Sequence, residues 1–166
     1  LPTEMQGGSL ATQLETAGTR ITLLAAGHQL TIGTGVEVTR PAINDPATND
    51  RSLWAHVTLG RYSALVTGDQ QEAGVRAWLA NGHRRTADIL VLPHHGGDNA
   101  ALPELLAAVR PSLALVSNSA RRTPSPQALW ARQLGYMVFE TGSVGSITVL
   151  GEPIPRVLTD AGLPLF

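Results

Sequence analysis

After Tyr62, short apolar runs alternate with stretches of helical length, and this pattern constrains the fold more than any other feature of the sequence. The apolar runs are rich in Ile, Leu and Val, and each is followed by a polar or turn-forming segment. Alternation of this kind predicts strands packed in a sheet with helices over one face. The pattern predicts strands at 88–92, 113–116 and 137–139, and helices at about 70–80, 103–109 and 126–134.

The sequence before Tyr62 is more typical of antiparallel strands, because its β-branched runs are separated by glycines. In residues 52–59 the apolar Ala55 and Val57 alternate with Trp54 and His56, which predicts a hairpin strand with the alanine and valine side on the core. The whole chain is therefore predicted to be an α/β or α+β domain over 1–150 with a mixed sheet, followed by a Pro-rich tail at 151–166. Further predicted elements are a helix at 9–17 and strands at 21–24, 29–32, 36–39, 62–66 and 146–150.

Composition limits the kinds of site that the chain can hold. It has no cysteine, so a metal must be held by His, Asp or Glu. The net charge of -1 argues against a broadly basic nucleic-acid surface, although all twelve basic residues are arginine, which binds phosphate through two parallel hydrogen bonds. The longest uncharged stretch, 21–36, is interrupted by His28 and several glycines, which predicts a soluble domain. The start at Leu1 without signal-peptide features predicts a segment of a longer protein.

The first motif with chemical potential is Thr67-Gly68-Asp69, which follows the apolar run 62–66. It places a carboxylate at the carboxyl end of a strand, where layered α/β proteins often gather functional groups. A metal-binding role competes with a structural one. Because Glu72 follows three residues later, at the start of a predicted helix, Asp69 taken alone is more typical of a helix N-cap.

The second motif is Pro93-His94-His95-Gly96, which follows the next predicted strand. Neighbouring side chains in an extended chain point in different directions, so at most one of the two histidines would bind a given ion. The competing interpretation is a pair of surface histidines without a role. If the two strands are neighbours, Asp69 and His95 meet at one edge of the sheet, and a carboxylate with an imidazole suits Zn, Mn or Fe. The other histidines, His28, His56 and His83, are assigned to structure.

The order of these motifs closely resembles the C-terminal metallo-β-lactamase-like domain of ComEC/Rec-type DNA-uptake (competence) proteins. The resemblance is carried by residues 49–53, 67–69, 88–96, Val109-Arg110-Pro111 and Ser117. It implies part of an αβ/βα sandwich with a site for two divalent ions, Zn or Mn, in which Asp69 bridges the ions and His95, in preference to His94, binds one of them. It also implies a nuclease that hydrolyses a phosphodiester of incoming DNA. The parent protein would lie in the cell membrane, with a channel domain in cis and this domain on the extracytoplasmic side.

Two departures from that family affect the expected activity. The His-x-Asp-x-Asp-His string that supplies most of the family's ligands does not occur in the chain, and Arg122-Thr123-Pro124-Ser125-Pro126 stands where many members have Gly-His-Pro-His-Pro. Two ligands are fewer than the three that a catalytic zinc generally takes. We therefore expect this segment by itself to be inactive and to bind metal weakly. Half of a sandwich would also leave a sheet face uncovered and favour a homo-oligomer.

Two other functions remain open at this point. One is a degenerate, non-catalytic module that guides single-stranded DNA through Arg84, Arg85, Arg121 and Arg122. The other is a different hydrolase of the same superfamily, such as a phosphodiesterase or a lactonase. The candidate substrate-binding residues are Arg121, Arg122, Thr123 and Ser125.

Overall fold

The computed structural model describes residues 9–43, 49–82, 85–150 and 156–160. None of the helices in these ranges is long and apolar enough to cross a membrane. The elements are α1 (Ser9–Thr16), β1 (Gln29–Ile32), β2 (Val36–Thr39), β3 (Trp54–Leu59), β4 (Tyr62–Val66), α2 (Glu72–Ala80), β5 (Ile89–Val91), α3 (Leu102–Val109), β6 (Leu113–Val116), α4 (Pro126–Gln133), β7 (Met137–Glu140), α5 (Thr141–Val144), β8 (Ile147–Leu150) and β9 (Arg156–Thr159).

Strands β1 to β7 form one mixed sheet in sequence order. The first four strands pair antiparallel and β4 to β7 pair parallel, so the change from hairpin rhythm to strand–helix rhythm in the sequence marks the change in strand direction. The mixed α/β fold class is as predicted. The strand predicted at 21–24 is wrong, because these residues join no ladder and the Leu24 carbonyl instead accepts a hydrogen bond from the Arg40 side chain at 3.0 Å.

One face of the sheet packs under α2, α3 and α4. Alternate residues of the central strands, including Leu65, Leu90 and Ala114, are buried on this side. The indoles of Trp54 in β3 and Trp78 in α2 stack there with their centroids 4.4 Å apart. The three helices contribute Val75, Leu102, Leu105, Leu106, Val109, Ala128 and Ala131 to the same core.

The predicted orientation of β3 is wrong. Trp54 is buried, whereas Ala55 and Val57 on the other side of the strand are only partly buried. The register pairs His56 with Leu65, which puts His56 on the helix-covered face as well. Alternation shows that a strand has two faces, but it does not show which face the helices cover, and here the large indole marks the deeper one.

The opposite face of the sheet is covered in part by the antiparallel pair β8 and β9. Ile89 and Leu113 pack there against Val157 of β9, and all three side chains are buried. Residues 156–159, which the sequence places in the Pro-rich tail, thus form a strand. The expectation of an uncovered face holds only for part of the sheet, since Val66 and Met137 remain exposed.

Candidate functional site

Asp69 lies just beyond the carboxyl end of β4, and the turn at Gly68 (φ 60°) brings it there. The backbone N–H of Asp69 donates to the hydroxyl of Ser52 at 3.3 Å, which ties the turn to the segment before β3. A Cβ atom at Gly68 would lie 3.0 Å from the Ser52 Cβ atom, and the φ of 60° would strain a larger residue, so both the close approach and the backbone angle favour glycine. The Asp69 carboxylate is left 48% exposed.

Asp69 does not cap α2, so the structural alternative considered for it is wrong. The helix begins at Glu72, and its first amides are satisfied by Asp50, whose Oδ1 accepts hydrogen bonds from Gln71 N at 2.8 Å and Gly74 N at 3.0 Å. Asp50 is only 3% exposed. A carboxylate under the positive end of a helix dipole is favourable, and Asp50 fills this position from a turn about 20 residues earlier in the chain. The carboxylate of Asp69 is therefore available for another role.

His94 and His95 lie in a strained turn after β5. Both have left-handed backbone angles, with φ of 51° and 54°, and Gly96 continues with φ of 79°. Left-handed backbone is unfavourable for residues with a Cβ atom and concentrates at functional sites. Gly96 is required sterically as well, since a Cβ atom there would lie 2.3 Å from the Ser125 hydroxyl oxygen.

The two histidines point to different partners, and only one of them reaches Asp69. The Nδ1 atom of His95 lies 2.7 Å from the Ser117 carbonyl oxygen, which can only accept, so Nδ1 carries the proton. The other ring nitrogen of His95, Nε2, lies 3.4 Å from Oδ1 of Asp69. The Nε2 atom of His94 instead lies 3.5 Å from the side-chain amide nitrogen of Asn49. Asp69 and His95 therefore form the pair, and His94 stands apart from it.

The donor set of this pair fits a metal ligand pair in both chemistry and spacing. A histidine that gives its other ring N–H to a carbonyl is held in the tautomer and orientation typical of metal ligands. A carboxylate oxygen and an imidazole nitrogen bound to one tetrahedral zinc would lie about 3.4 Å apart. This matches the 3.4 Å between Oδ1 of Asp69 and Nε2 of His95. Within the described ranges, however, no group of three or more His, Cys, Asp or Glu side chains could hold an ion. The pair fits part of a metal site and does not complete one.

A cavity of about 350 Å³ adjoins His95 on the side away from β4. Arg121 and Arg122 are exposed beside it, whereas the other two predicted substrate-binding residues use their hydroxyls within the protein. Thr123 donates to the Ser119 carbonyl at 3.1 Å, and Ser125, only 2% exposed, caps α4 by accepting from Ala128 N. Thr123 and Ser125 thus shape the cavity through the loop that they hold. The cavity is lined by His95, Gly96, Gly97, Asp98 and residues 121–126.

The loop beside this cavity is anchored by Glu140, which is 1% exposed. Its carboxylate accepts hydrogen bonds from Ser125 N at 2.8 Å, from the Asn118 amide at 2.8 Å and from the Arg132 guanidinium at 2.9 Å. Burial raises the pKa of Glu140, but the hydrogen bonds from Ser125, Asn118 and Arg132 outweigh burial and hold the pKa below its ordinary value. Asn118 also accepts from Gly142 N at 3.0 Å through its Oδ1, so this one side chain joins the loop after β6 to α5.

Arg85 lies away from this cavity. It precedes β5, at the end of that strand opposite to His95, and forms an ion pair with Glu37 at 2.6 Å. His56, near it, lies with its Nε2 atom 3.3 Å from the Thr86 carbonyl oxygen, which agrees with a structural role. Arg84 and His83 lie outside the described residues.

The residues that hold the site, as distinct from those that form it, are not evident from the sequence. Two fully buried glutamines donate to backbone carbonyls: Gln70 to those of Asp50 and Ser52, before β3, and Gln127 to those of Pro93 and Gly97, on either side of the histidine turn. Neither stands out by motif or spacing. A glutamine within a predicted helix is ordinarily read as a surface residue, and only its burial reveals the role.

No family model and no curated protein matches the sequence. Among solved structures, the fold is similar to that of a "Putative metal-dependent hydrolase" from Parabacteroides distasonis, with 15% sequence identity and a TM-score of 0.46. The match covers 79% of this chain and 61% of the other, so the chain spans about three-fifths of the length of that protein.

Proposed function

We propose that the chain is part of a metal-dependent hydrolase domain of the metallo-β-lactamase type, acting on phosphodiesters. The observation that carries the proposal is the pairing of Asp69 Oδ1 with Nε2 of His95 at 3.4 Å, with the other ring nitrogen held by Ser117. In an ordinary surface ion pair the tautomer would not need to be fixed, and two consecutive left-handed histidines would not be maintained.

Each residue around the pair has a distinct task in this proposal. Ser117 orients the His95 ring, and Ser52 holds the turn that presents Asp69. A bound metal would polarise a water molecule and offset the negative charge that develops on phosphorus-bound oxygens. Arg121 and Arg122, exposed beside the cavity, would attract and orient the phosphate group of the substrate.

The site requires further ligands from outside the described residues. A catalytic zinc generally takes three protein ligands plus water, and this part of the chain brings two together. We propose that the remaining ligands belong to a His-x-Asp-x-Asp-His segment preceding Leu1 in a longer protein. On this view the chain alone binds metal weakly and does not hydrolyse DNA.

We further propose that the parent is a ComEC-like DNA-uptake protein, with this domain attached to a membrane channel on the extracytoplasmic side. The order of the motifs 49–53, 67–69 and 88–96 supports this. The sequence encoded upstream of Leu1 is a direct test. A His-x-Asp-x-Asp-His string preceded by many apolar spans is expected, and a water-soluble upstream domain would remove the membrane assignment.

A second candidate is a non-catalytic module that guides single-stranded DNA. It is favoured by the loop at 121–126, where two exposed arginines precede Thr123 and Ser125 and no histidine is present. Binding without cutting, weakened by rising salt and by Arg121→Ala with Arg122→Ala, would support this candidate. Hydrolysis of a cyclic phosphodiester or a lactone, but not of DNA, would instead indicate another hydrolase of the superfamily.

The decisive experiment uses the domain extended to include its upstream segment, supplied with Mn²⁺ or Zn²⁺ and single-stranded DNA. We expect cutting that Asp69→Asn and His95→Gln each reduce by at least about a hundredfold, since loss of a metal ligand removes the activating ion. Glu72→Gln is the matched control, because Glu72 is an exposed carboxylate three residues away that pairs with Arg76. Full activity in Asp69→Asn would exclude its role as a metal ligand.

A further inference from the structure

We propose that Gln127 is the positioning residue that holds His95 in its metal-binding orientation; this inference rests on the proposed function of the Asp69–His95 pair. Gln127 lies in α4, on the far side of the turn from Asp69, and is 0% exposed. Nothing in the proposed hydrolysis requires a buried amide there. Its contacts explain why one is present.

The Nε2 atom of Gln127 donates to two backbone carbonyls. One belongs to Pro93, at 3.0 Å, and the other to Gly97. These two carbonyls bracket the turn, one just before His94 and one just after Gly96. Both amide protons of one side chain therefore fix the ends of the segment that carries the histidines.

The turn needs such a restraint because of its backbone conformation. His94, His95 and Gly96 are consecutive residues in the left-handed region, with φ of 51°, 54° and 79°. For residues with a Cβ atom this conformation persists only where the surrounding structure enforces it. Two backbone hydrogen bonds within the turn, Gly96 N to Pro93 O and Gly97 N to His94 O, give a local restraint, and Gln127 connects both ends to the core.

The geometry of the Gln127 contacts also has a cost. Its Oε1 atom is buried without a hydrogen-bond partner within the described part of the chain. A buried amide with one unsatisfied oxygen is less favourable than an apolar side chain of the same shape. A residue that served only to fill the core would be better as Leu or Met, so the two hydrogen bonds to the turn account for glutamine.

The consequence for His95 is the identity of its protonated nitrogen. Nδ1 is protonated because the turn holds it 2.7 Å from the Ser117 carbonyl. If the ends of the turn are released, the histidine backbone relaxes, the contact with Ser117 weakens and the proton moves to Nε2. In that form Nε2 would donate a hydrogen bond and could not bind a metal.

The test measures the His95 tautomer by ¹⁵N NMR of the metal-free chain at pH 8, in the wild type, Gln127→Met and Gln127→Glu. Methionine keeps the volume without a donor, and glutamate puts oxygen against both carbonyls. In each we expect the ratio of the Nδ1–H to the Nε2–H form to fall about fivefold, the factor that one typical hydrogen bond controls. Gln133→Met, on the exposed end of the same helix, should leave the ratio unchanged.

A purely structural role for Gln127 gives a different result. The unfolding free energy would then change while the folded variants kept the wild-type ratio at His95, and this outcome would overturn the proposal. If neither variant folds, hydrogen exchange of the wild type decides. The side-chain amide protons of Gln127 should exchange as slowly as the core amides of β6. Exchange as fast as that of the Gln133 side chain would refute the hydrogen bonds from Gln127 to the turn. The tautomer is read without metal or substrate, so failure here and failure of the hydrolase proposal are distinguishable.

Discussion

Asp69 and His95 stand at the ends of neighbouring strands, and the scaffold behind each contains the same two parts, one buried carboxylate and one buried glutamine. Behind Asp69, Asp50 accepts from two amides of α2, and Gln70 donates to the carbonyls of Asp50 and Ser52. Behind His95, Glu140 accepts from the backbone N–H of Ser125, and Gln127 donates to the carbonyls of Pro93 and Gly97. We call these two regions the Asp69 half and the His95 half of the site. Each half joins a helix N-terminus to a functional turn.

The two halves differ in how their buried carboxylate is neutralised. The two contacts of Asp50 with α2 are both backbone N–H groups, whereas Glu140 is also paired with the guanidinium of Arg132 at 2.9 Å. Among the described residues, the N-terminus of α2 thus holds the carboxylate of Asp50, while the carboxylate of Glu140 also has a cation and a side-chain amide as partners. The difference implies that the contribution of the His95 half to the unfolding free energy depends more strongly on charge than that of the Asp69 half.

The largest effect is expected for Glu140→Ala. It removes the partner of Arg132 and leaves the amides of Ser125 and Asn118 without their acceptor, which should lower the unfolding free energy by about 3 kcal/mol. Urea unfolding measures the change. The control is Glu104→Ala, an exposed carboxylate that also pairs with an arginine, Arg76, and should cost less than about 1 kcal/mol. Equal costs for the two variants would show that burial of the Glu140 pair contributes nothing.

A smaller effect is expected for Asp50→Ala, about 2 kcal/mol in the unfolding free energy, the upper range for loss of a helix cap. The substitution leaves the backbone N–H groups of Gln71 and Gly74 without the acceptor that Asp50 provides. Asp50→Asn, which keeps an acceptor oxygen, should recover at least half of the loss. A cost for Asp50→Ala that exceeds the cost for Glu140→Ala would reverse the comparison between the two halves.

Acid should weaken the stability that Glu140 contributes to the His95 half. The folded pKa of Glu140 is lowered from its ordinary value of 4.5, so the unfolded chain binds the proton more readily than the folded one. The stability contributed by Glu140 is therefore complete above that value and is lost as pH falls through the lowered folded pKa. The difference in unfolding free energy between wild type and Glu140→Gln should be constant above about pH 5.5 and shrink below about pH 4.5. A difference that grew toward acid pH would contradict the lowered pKa.

The smallest stability effect is expected at the proposed ligands themselves. Asp69→Asn and His95→Gln should each change the unfolding free energy by less than about 0.5 kcal/mol, because both side chains are about half exposed. The metal content of the chain, measured after dialysis against excess Zn²⁺, should stay below one ion per chain and fall further in both variants. Two ions retained per wild-type chain would refute the count of two ligands.

The sequence predicts the layered fold well, because helix and strand rhythms are local and the switch at Tyr62 is visible in them. It also predicts that Asp69 and His95 would meet, since adjacent parallel strands place their carboxyl ends at one edge. It cannot predict the capping of α2 by Asp50, because this contact joins residues about 20 positions apart through a turn whose path depends on the complete fold. The sequence also cannot predict the role of Gln127, because the helical pattern does not indicate that this polar side chain faces the core.

The stacked pair of Trp54 and Trp78 gives the molecule an optical property. Two indoles whose planes are 10° apart and whose centroids are separated by 4.4 Å are close enough for their electronic transitions to couple, and the sign and size of the resulting circular dichroism band depend on their mutual orientation. One ring belongs to β3 and the other to α2, so the band is present only while the helix is docked on the sheet. Since α2 begins immediately after the Asp69 turn, docking of this helix can be followed by light absorption alone, independently of metal and without a label.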